Sequence, residues 1–156
     1  MKRPRRTGRW ESMASSADQV EGKRIGAHVV RFEPPDICVV RFGETLTAED
    51  GRAIFEEELR VAEEHGPIFV LADFRGVRTI TAEARKLSAE LSSPPQILGV
   101  SNFGVTFQVR VLAKLVISLR RLARKPIDGL LQMSSNEAEA RAWIAERRRE
   151  RAQNPG

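Results

Sequence analysis

Apolar residues occur along the chain either in short runs typical of strands or in longer runs with helical spacing. IGAHVVRF and ICVVRF alternate and are rich in β-branched residues, and the EPPD segment confines the prolines to a connection between them. IFVLADF (68–74) is a near-continuous apolar run, a pattern typical of a buried central strand, and ILGVSNF (97–103) is a further strand candidate that ends before Gly104. IDGLLQM (127–133) is the weakest run and predicts an edge strand.

Four segments have the spacing and the terminal residues of helices. They are predicted over 47–65, 81–91, 105–125 and from Ser134 onward. Thr47 and Thr81 precede helical segments as N-cap residues, because their hydroxyl groups can accept a hydrogen bond from a free backbone N–H. Ser134 followed by Glu137 matches a capping box, so the last helix is predicted to start there.

The order of these elements is strand, strand, helix, strand, helix, strand, helix, strand, helix, which is typical of an α/β domain. It predicts one layer-packed domain with a mixed, mostly parallel sheet of four to five strands, an N-terminal antiparallel hairpin and about four helices. The domain is predicted to span 25–150, with a disordered basic leader over 1–24 and a disordered tail over 151–156.

The net charge of +5 is concentrated at the N-terminus. Residues 1–12 carry +4 of it, so the rest of the chain is close to neutral. Apart from Trp10, the basic segment lacks the interleaved aromatics of single-strand binders, and no specific nucleic-acid partner is expected. The segment is either a disordered leader or sequence upstream of an initiator at Met13.

Residues suited to catalysis are few. The chain has two histidines, no tyrosine and one cysteine, Cys38, which lies in an apolar run and is predicted to be buried. GVSNFG around Ser101 lacks the G-x-S-x-G spacing of a nucleophile elbow. We therefore expect a protein that is not an enzyme, with no metal and no cofactor. Because there is no secretory segment and no long apolar span, a cytoplasmic location is expected, with contact at the membrane periphery as a further option.

The segment 105–125 combines cations with apolar residues. At 100° per residue, six cations share an arc of about 140°. They are Arg110, Lys114, Arg120, Arg121, Arg124 and Lys125. The opposite side is predicted to pack in the core, with Val111, Leu115, Leu119 and Leu122 among its residues. The basic face is either a surface for anionic membranes or a solvated outer face.

A second candidate site is an anion or ligand site at the start of this helix, formed by Asn102, Gly104 and Thr106. Free backbone N–H groups at a helix start attract anions. Thr106 is equally suited to an ordinary capping role.

The stretch FVLADFRGVRTITAEARKL resembles the signature of STAS domains, in which a buried strand ends in an aspartate and a turn opens the next helix. GETLTAED, EARK and SSNEAEARAWI extend the resemblance to the stand-alone SpoIIAA-like branch, which is grouped with CRAL-TRIO lipid-binding domains. The resemblance implies an α/β fold with a mixed sheet. It also implies a regulatory role, because STAS anti-sigma-factor antagonists switch by phosphorylation of a serine at this helix start.

Matched residue by residue, Asp73 is the strand-end aspartate, Gly76 and Val77 form the turn, and Ala82 and Glu83 replace the phosphorylatable serines. Glu83 is then either a permanent phosphate mimic or a favourable charge in a first helical turn. The predicted partner surface consists of Asp73, Arg75, Gly76, Thr79, Thr81, Glu83 and Arg85.

Two functions follow from these observations. The first is a regulatory or protein-interaction module with a protein partner at the 73–85 surface. The alternative is a binder of lipid or another apolar anion, with the basic helix against an anionic lipid surface.

Overall fold

The structure is a computed structural model that describes residues 22–92, 94–124 and 129–155. The strands are β1 (Lys23–Ile25), β2 (His28–Glu33), β3 (Ile37–Arg41), β4 (Thr45–Leu46), β5 (Ile68–Asp73), β6 (Thr79–Ile80), β7 (Ile97–Phe103) and β8 (Leu131–Ser134). The helices are α1 (Ala48–His65), α2 (Ala82–Glu90), α3 (Phe107–Leu122) and α4 (Glu137–Gln153).

One mixed sheet organises the domain, with the strand order β1-β2-β3-β5-β7-β8. The first three strands pair antiparallel, while β3, β5, β7 and β8 are parallel to one another. The predicted architecture, a mostly parallel sheet after an N-terminal antiparallel hairpin, is confirmed. All six residues of β5 are buried because β5 pairs on both edges, which explains its continuous apolar sequence.

The predicted strand number is too low. The described part of the chain has six strands in the main sheet, because the run predicted as one strand over 25–32 divides at Gly26. Gly26 has a φ of 58°, a conformation that glycine adopts without steric cost, and the chain reverses there from β1 into β2. The short strands β4 and β6 form a second, two-stranded parallel sheet.

The helices cover both faces of the main sheet. On one face, α1 and α2 contribute Ile54, Val61 and Ala84 to a core cluster with the inner strands. On the other face, α4 contributes Ala140 and Ile144 to a cluster with β3, β5 and β7. Cys38 is fully buried between β2 and β5, as predicted.

All four helix starts carry a threonine or asparagine cap. Thr47 and Thr81 cap α1 and α2 as predicted, with hydroxyl oxygens that accept from Asp50 N and Ala84 N. The prediction for α4 is wrong by two residues, because Ser134 pairs in β8 and Asn136 is the cap, with its Oδ1 accepting from Glu139 N. In addition, Ser135 N donates to Glu139 Oε2, so the backbone N–H before the cap is also paired.

The first strand and the last helix both extend beyond the predicted bounds of the domain, 25–150. β1 begins at Lys23, and α4 continues to Gln153, three residues into the segment expected to be a disordered tail. The predicted leader up to residue 21 and the start of the predicted strand at 127–128 lie outside the described residues.

Candidate functional site

The predicted partner surface begins at a buried carboxylate. Asp73, 5% exposed at the end of β5, accepts from Arg75 N at 3.0 Å and from Arg75 Nη2 at 2.8 Å. Burial acts to raise the pKa of Asp73, but the hydrogen bonds from Arg75 and the charges of Arg75 and Arg41 together hold it below its ordinary value. The ion pair between Asp73 and Arg75 therefore stabilises the turn at Gly76.

The rest of this surface is divided between exposed and inward-facing side chains. Thr79 and Glu83 are exposed, and Thr81 is half-buried because its hydroxyl caps α2. Arg85 points inward: its Nη1 donates to Ile80 O at 2.9 Å, and it lines a cavity beneath α2. The structure thus leaves Arg75, Gly76, Thr79 and Glu83 as the accessible part of the predicted partner surface.

Asn102, Gly104 and Thr106 lie close together at the end of β7, yet each has a different environment. Thr106 is the N-cap of α3 and accepts from Val109 N at 3.3 Å. Gly104 has a φ of 73°, and its Cα lies against the backbone of Arg75. Asn102 is buried and lines the same cavity as Arg85. The anion site at this helix start remains a prediction.

Helix α3 is rotated relative to the predicted orientation. Its inner side consists of Val109, Leu112, Ala113, Val116 and Ile117. Four large apolar side chains predicted for the core are instead exposed, as is Phe107, which was predicted on the basic face, and the five are 46–81% exposed. They are Phe107, Val111, Leu115, Leu119 and Leu122. The helix has enough apolar residues for two faces, so its amphipathic pattern alone did not determine which face turns inward.

The cations of the predicted basic face differ in exposure, and the prediction is wrong for Arg120. Arg110, Lys114, Arg121 and Arg124 are exposed, whereas Lys125 lies outside the described residues. Arg120 is 5% exposed, and its Nη1 donates to Ser88 O at 2.9 Å and to Leu91 O at 2.6 Å. It faces inward because its guanidinium group satisfies backbone carbonyl groups at the C-terminal end of α2.

A cavity of about 340 Å³ lies between the inner side of α3, helices α1 and α2, and the sheet. Its walls are mainly apolar, with Phe55, Leu87, Val100 and Val116 from four different elements. The polar side chains that sequence reasoning singled out and the structure brings together here are Arg85, Asn102 and Arg120. An apolar cavity with a few polar groups is the usual form of a small-molecule site.

Glu58 is a cavity residue that the sequence analysis missed. It lies on α1 between Ile54 and Val61, which are both buried, so helical spacing places it on the inner side of an acidic helix. Burial raises the pKa of Glu58 to about 8. Its neighbour Glu57 differs, because Arg60 and Lys23 bind its carboxylate and hold its pKa below the ordinary value against the effect of burial.

Two histidines considered in the sequence have structural environments. His28 is fully buried, and its Nδ1 accepts from Gly43 N at 2.9 Å, so in the neutral ring Nε2 donates to Asp50 Oδ2 at 3.2 Å. His65 stacks on Phe32 with ring centroids 3.8 Å apart.

Across residues 22–92, 94–124 and 129–155, no group of three or more His, Cys, Asp or Glu side chains could hold a metal ion. None of the helices described there is both long and apolar enough to cross a membrane.

The solved structures that are similar to this chain include the following two. One is the anti-sigma factor antagonist SpoIIAA in its unphosphorylated form, with a TM-score of 0.49 and 12% identity, covering 76% of this chain and 98% of that chain. The other is an uncharacterised DUF3478-family protein with a SpoIIAA-like fold from Shewanella loihica PV-4, with a TM-score of 0.46 and 19% identity, covering 76% of this chain and 92% of that chain. No protein-family model and no curated protein matches the chain.

Both structures have the SpoIIAA-like fold that the sequence resemblance predicts. At these identities and TM-scores the likeness carries no argument about function. Function must therefore be inferred from the cavity, helix α3 and the exposed residues of the 73–85 surface.

Proposed function

We propose that this protein binds an apolar molecule in the cavity and contacts an anionic membrane surface through the outer face of α3. The observation that carries the proposal is that α3 is apolar on two sides. One side walls the cavity with Val109, Leu112 and Val116, and the other exposes large apolar side chains to water. A helix with this arrangement can cover a ligand and insert into a lipid interface.

The outer face of α3 has a regular arrangement that fits a membrane interface. Phe107, Val111, Leu115, Leu119 and Leu122 form a row along the helix. Arg110, Lys114 and Arg121 each precede a residue of this row, so the cations lie along one flank of it. Soluble domains rarely expose contiguous apolar rows of this kind, whereas interfacial helices combine them with cations.

The cavity supports the ligand-binding part of the proposal. Its volume of about 340 Å³ is within the range of sites that hold small organic ligands. Because α3 forms one wall while its opposite side carries the apolar row, contact with lipid and access to the cavity would involve the same helix.

Liposome flotation tests the membrane contact. The double variant Arg110→Glu, Lys114→Glu is expected to bind vesicles of mixed neutral and anionic phospholipid at least about 30-fold more weakly than the wild type. Each cation near an anionic surface contributes about 1 kcal/mol, so loss of two corresponds to about 2 kcal/mol, and repulsion of the two added carboxylates weakens binding further. The matched control is Arg149→Glu, Arg151→Glu, which makes the same charge change on exposed residues of α4.

The control variant is expected to float with the vesicles as the wild type does. If both variants lose binding equally, the effect is one of net charge and the role of α3 is rejected. If the wild type stays in the soluble fraction at low salt with anionic vesicles, the membrane part of the proposal is wrong.

A regulatory role with a protein partner at the 73–85 surface is the second candidate function. One observation favours it: the Glu83 carboxylate is exposed on the first turn of α2, and no hydrogen bond or ion pair is found for it within the described chain. A fixed negative charge in that position is available to a partner.

A pull-down from native cell extract tests this second function. Glu83→Lys reverses the accessible charge and is expected to remove any partner that contacts this surface, because like charges across an interface oppose binding. Glu90→Lys makes the same change at the opposite end of α2, so it controls for net charge. An identical set of captured proteins for the wild type and Glu83→Lys would count against a partner surface here.

A further inference from the structure

Two polar side chains in the cavity wall, those of Asn102 and Glu58, have an oxygen with no hydrogen-bond partner in the described residues. Asn102 is 7% exposed, and within the described chain its Oδ1 has no hydrogen-bond partner. Glu58 is half-buried, and no hydrogen bond or ion pair is found for its carboxyl group in the described residues. Both side chains line the cavity from opposite walls, one on β7 and one on α1.

An unpaired buried oxygen is costly, since the group has lost its bonds to water and gained none in return. Asn102 lines the cavity and its Oδ1 is an unpaired acceptor, so a bound molecule with a donor group would satisfy it. Ser101, the next residue on β7, also has an unpaired buried hydroxyl, but alternation along the strand places it on the other face of the sheet, away from the cavity.

We propose that the cavity takes a neutral, mainly apolar molecule carrying one hydrogen-bond donor, with Asn102 Oδ1 as its acceptor and with ionisation of the Glu58 carboxyl group causing its release. This inference rests on the proposed ligand-binding function of the cavity and adds the chemical class of the ligand and the control of its binding. A neutral Glu58 leaves the wall uncharged. An ionised Glu58 needs water around it, and that water competes with an apolar occupant.

The charged and titratable groups near Glu58 do not neutralise it. Those on the surrounding elements include Lys23 on β1, His28 on β2, Cys38 on β3, Arg85 and Glu90 on α2, and Arg120 on α3. Lys23 binds Glu57, and His28 bonds to Asp50. Arg85 and Arg120 line the cavity but donate to backbone carbonyl groups, and Glu90 is exposed. On this side β5 presents Ile68, Val70 and Ala72, which carry no charge.

The direction of the pH effect follows from this environment. Burial raises the pKa of Glu58 from its ordinary value of 4.5 to about 8, so the carboxyl is neutral below that pH and ionised above it. Burial also raises the pKa of Cys38 to about 12, so its thiol stays neutral over the same range. Ligand binding should therefore be strong near neutral pH and weaken as the pH rises through about 8.

Fluorescence titration with N-phenyl-1-naphthylamine tests the inference, because this probe is neutral, apolar and has one N–H donor. Wild-type protein is expected to bind it about 30-fold more weakly at about pH 9.5 than at about pH 6.5, if only the neutral Glu58 form binds. Glu58→Gln, which cannot ionise, should bind equally at both pH values. Asn102→Leu should bind about tenfold more weakly than the wild type at about pH 6.5, the effect of one hydrogen bond.

Ser101→Ala is the matched control for Asn102→Leu, and it should bind like the wild type. Ala113→Trp fills the cavity from α3 and should abolish binding, which separates the cavity from the exposed outer face. Circular dichroism of each variant at both pH values establishes that it is folded. Asn102→Ala and Glu58→Met replace the first variants if either fails to fold.

The outcomes separate this inference from the function on which it rests. Absence of probe binding by the wild type at both pH values overturns the proposed ligand-binding function together with this inference. Binding that Ala113→Trp removes, but that is unchanged by pH or by Asn102→Leu, overturns the inference and leaves the cavity function supported. The expected pattern in all variants supports both.

Discussion

Replacing Gly104 with alanine is expected to lower the free energy of unfolding by about 3–4 kcal/mol. Gly104 has a φ of 73°, where a side chain is strained, and a Cβ there would collide with Arg75 Cγ and lie 2.9 Å from Arg75 N. Arg75 cannot easily move away, because its backbone and side chain are both bonded to buried Asp73. The substitution would therefore disturb the turn at the start of α3 and the 73–85 surface together.

Gly66→Ala is the matched control for Gly104→Ala. Gly66 also has a positive φ, of 93°, but nothing lies within 4 Å of the position a Cβ would take. Only backbone strain should be measured there, at about 1–2 kcal/mol. Urea denaturation followed by circular dichroism gives both values. Equal losses in the two variants would show that the close approach of Arg75 does not matter.

Arg120→Leu is expected to lower the free energy of unfolding by about 3 kcal/mol. The guanidinium group is buried between α3 and α2, and its Nη1 bonds to both Ser88 O and Leu91 O. Without the guanidinium group, these carbonyl groups lose their charged hydrogen-bond donor. The leucine side chain compensates only through apolar contacts. The same urea denaturation experiment measures the change.

The control for Arg120→Leu is Arg110→Leu on the same helix. Arg110 is exposed, so the substitution should change the free energy of unfolding by no more than about 0.5 kcal/mol. A small loss for Arg120→Leu, similar to that of the control, would contradict a structural role for Arg120. The buried arginine would then have to be explained by the cavity that it lines.

Features of the fold that depend on neighbouring residues in the chain, such as helix caps, were predictable from the sequence. Thr47 and Thr81 act as caps because a hydroxyl group and free N–H groups are brought together within one turn of chain. The central strand β5 was predictable because a strand paired on both edges and covered on both faces has apolar residues at every position. The start of α4 was misplaced because serine and asparagine are equally good caps, and pairing of β8 with β7 occupied Ser134.

The candidate site was only partly predictable. Asn102, Arg85 and Arg120 were singled out, but for an anion site, a partner surface and a basic face respectively, and the structure places all three around one cavity. Glu58 was missed because a single acidic residue on an acidic helix carries no signal in a sequence. Its significance comes from the apolar walls around it, which are contributed by residues far apart in the chain.

The sequence alone determined the order of the helices and of the longer strands, the central strand β5 and the caps at Thr47 and Thr81, because these depend on interactions between residues close in the chain. Tertiary structure decided the rotation of α3, the burial of Arg120 and the existence of the cavity. The physical reason lies in α3 itself, which has apolar residues on two sides. Either side could have faced the sheet by hydrophobicity alone, and the two carbonyl groups at the end of α2 stabilise the orientation in which Arg120 turns inward.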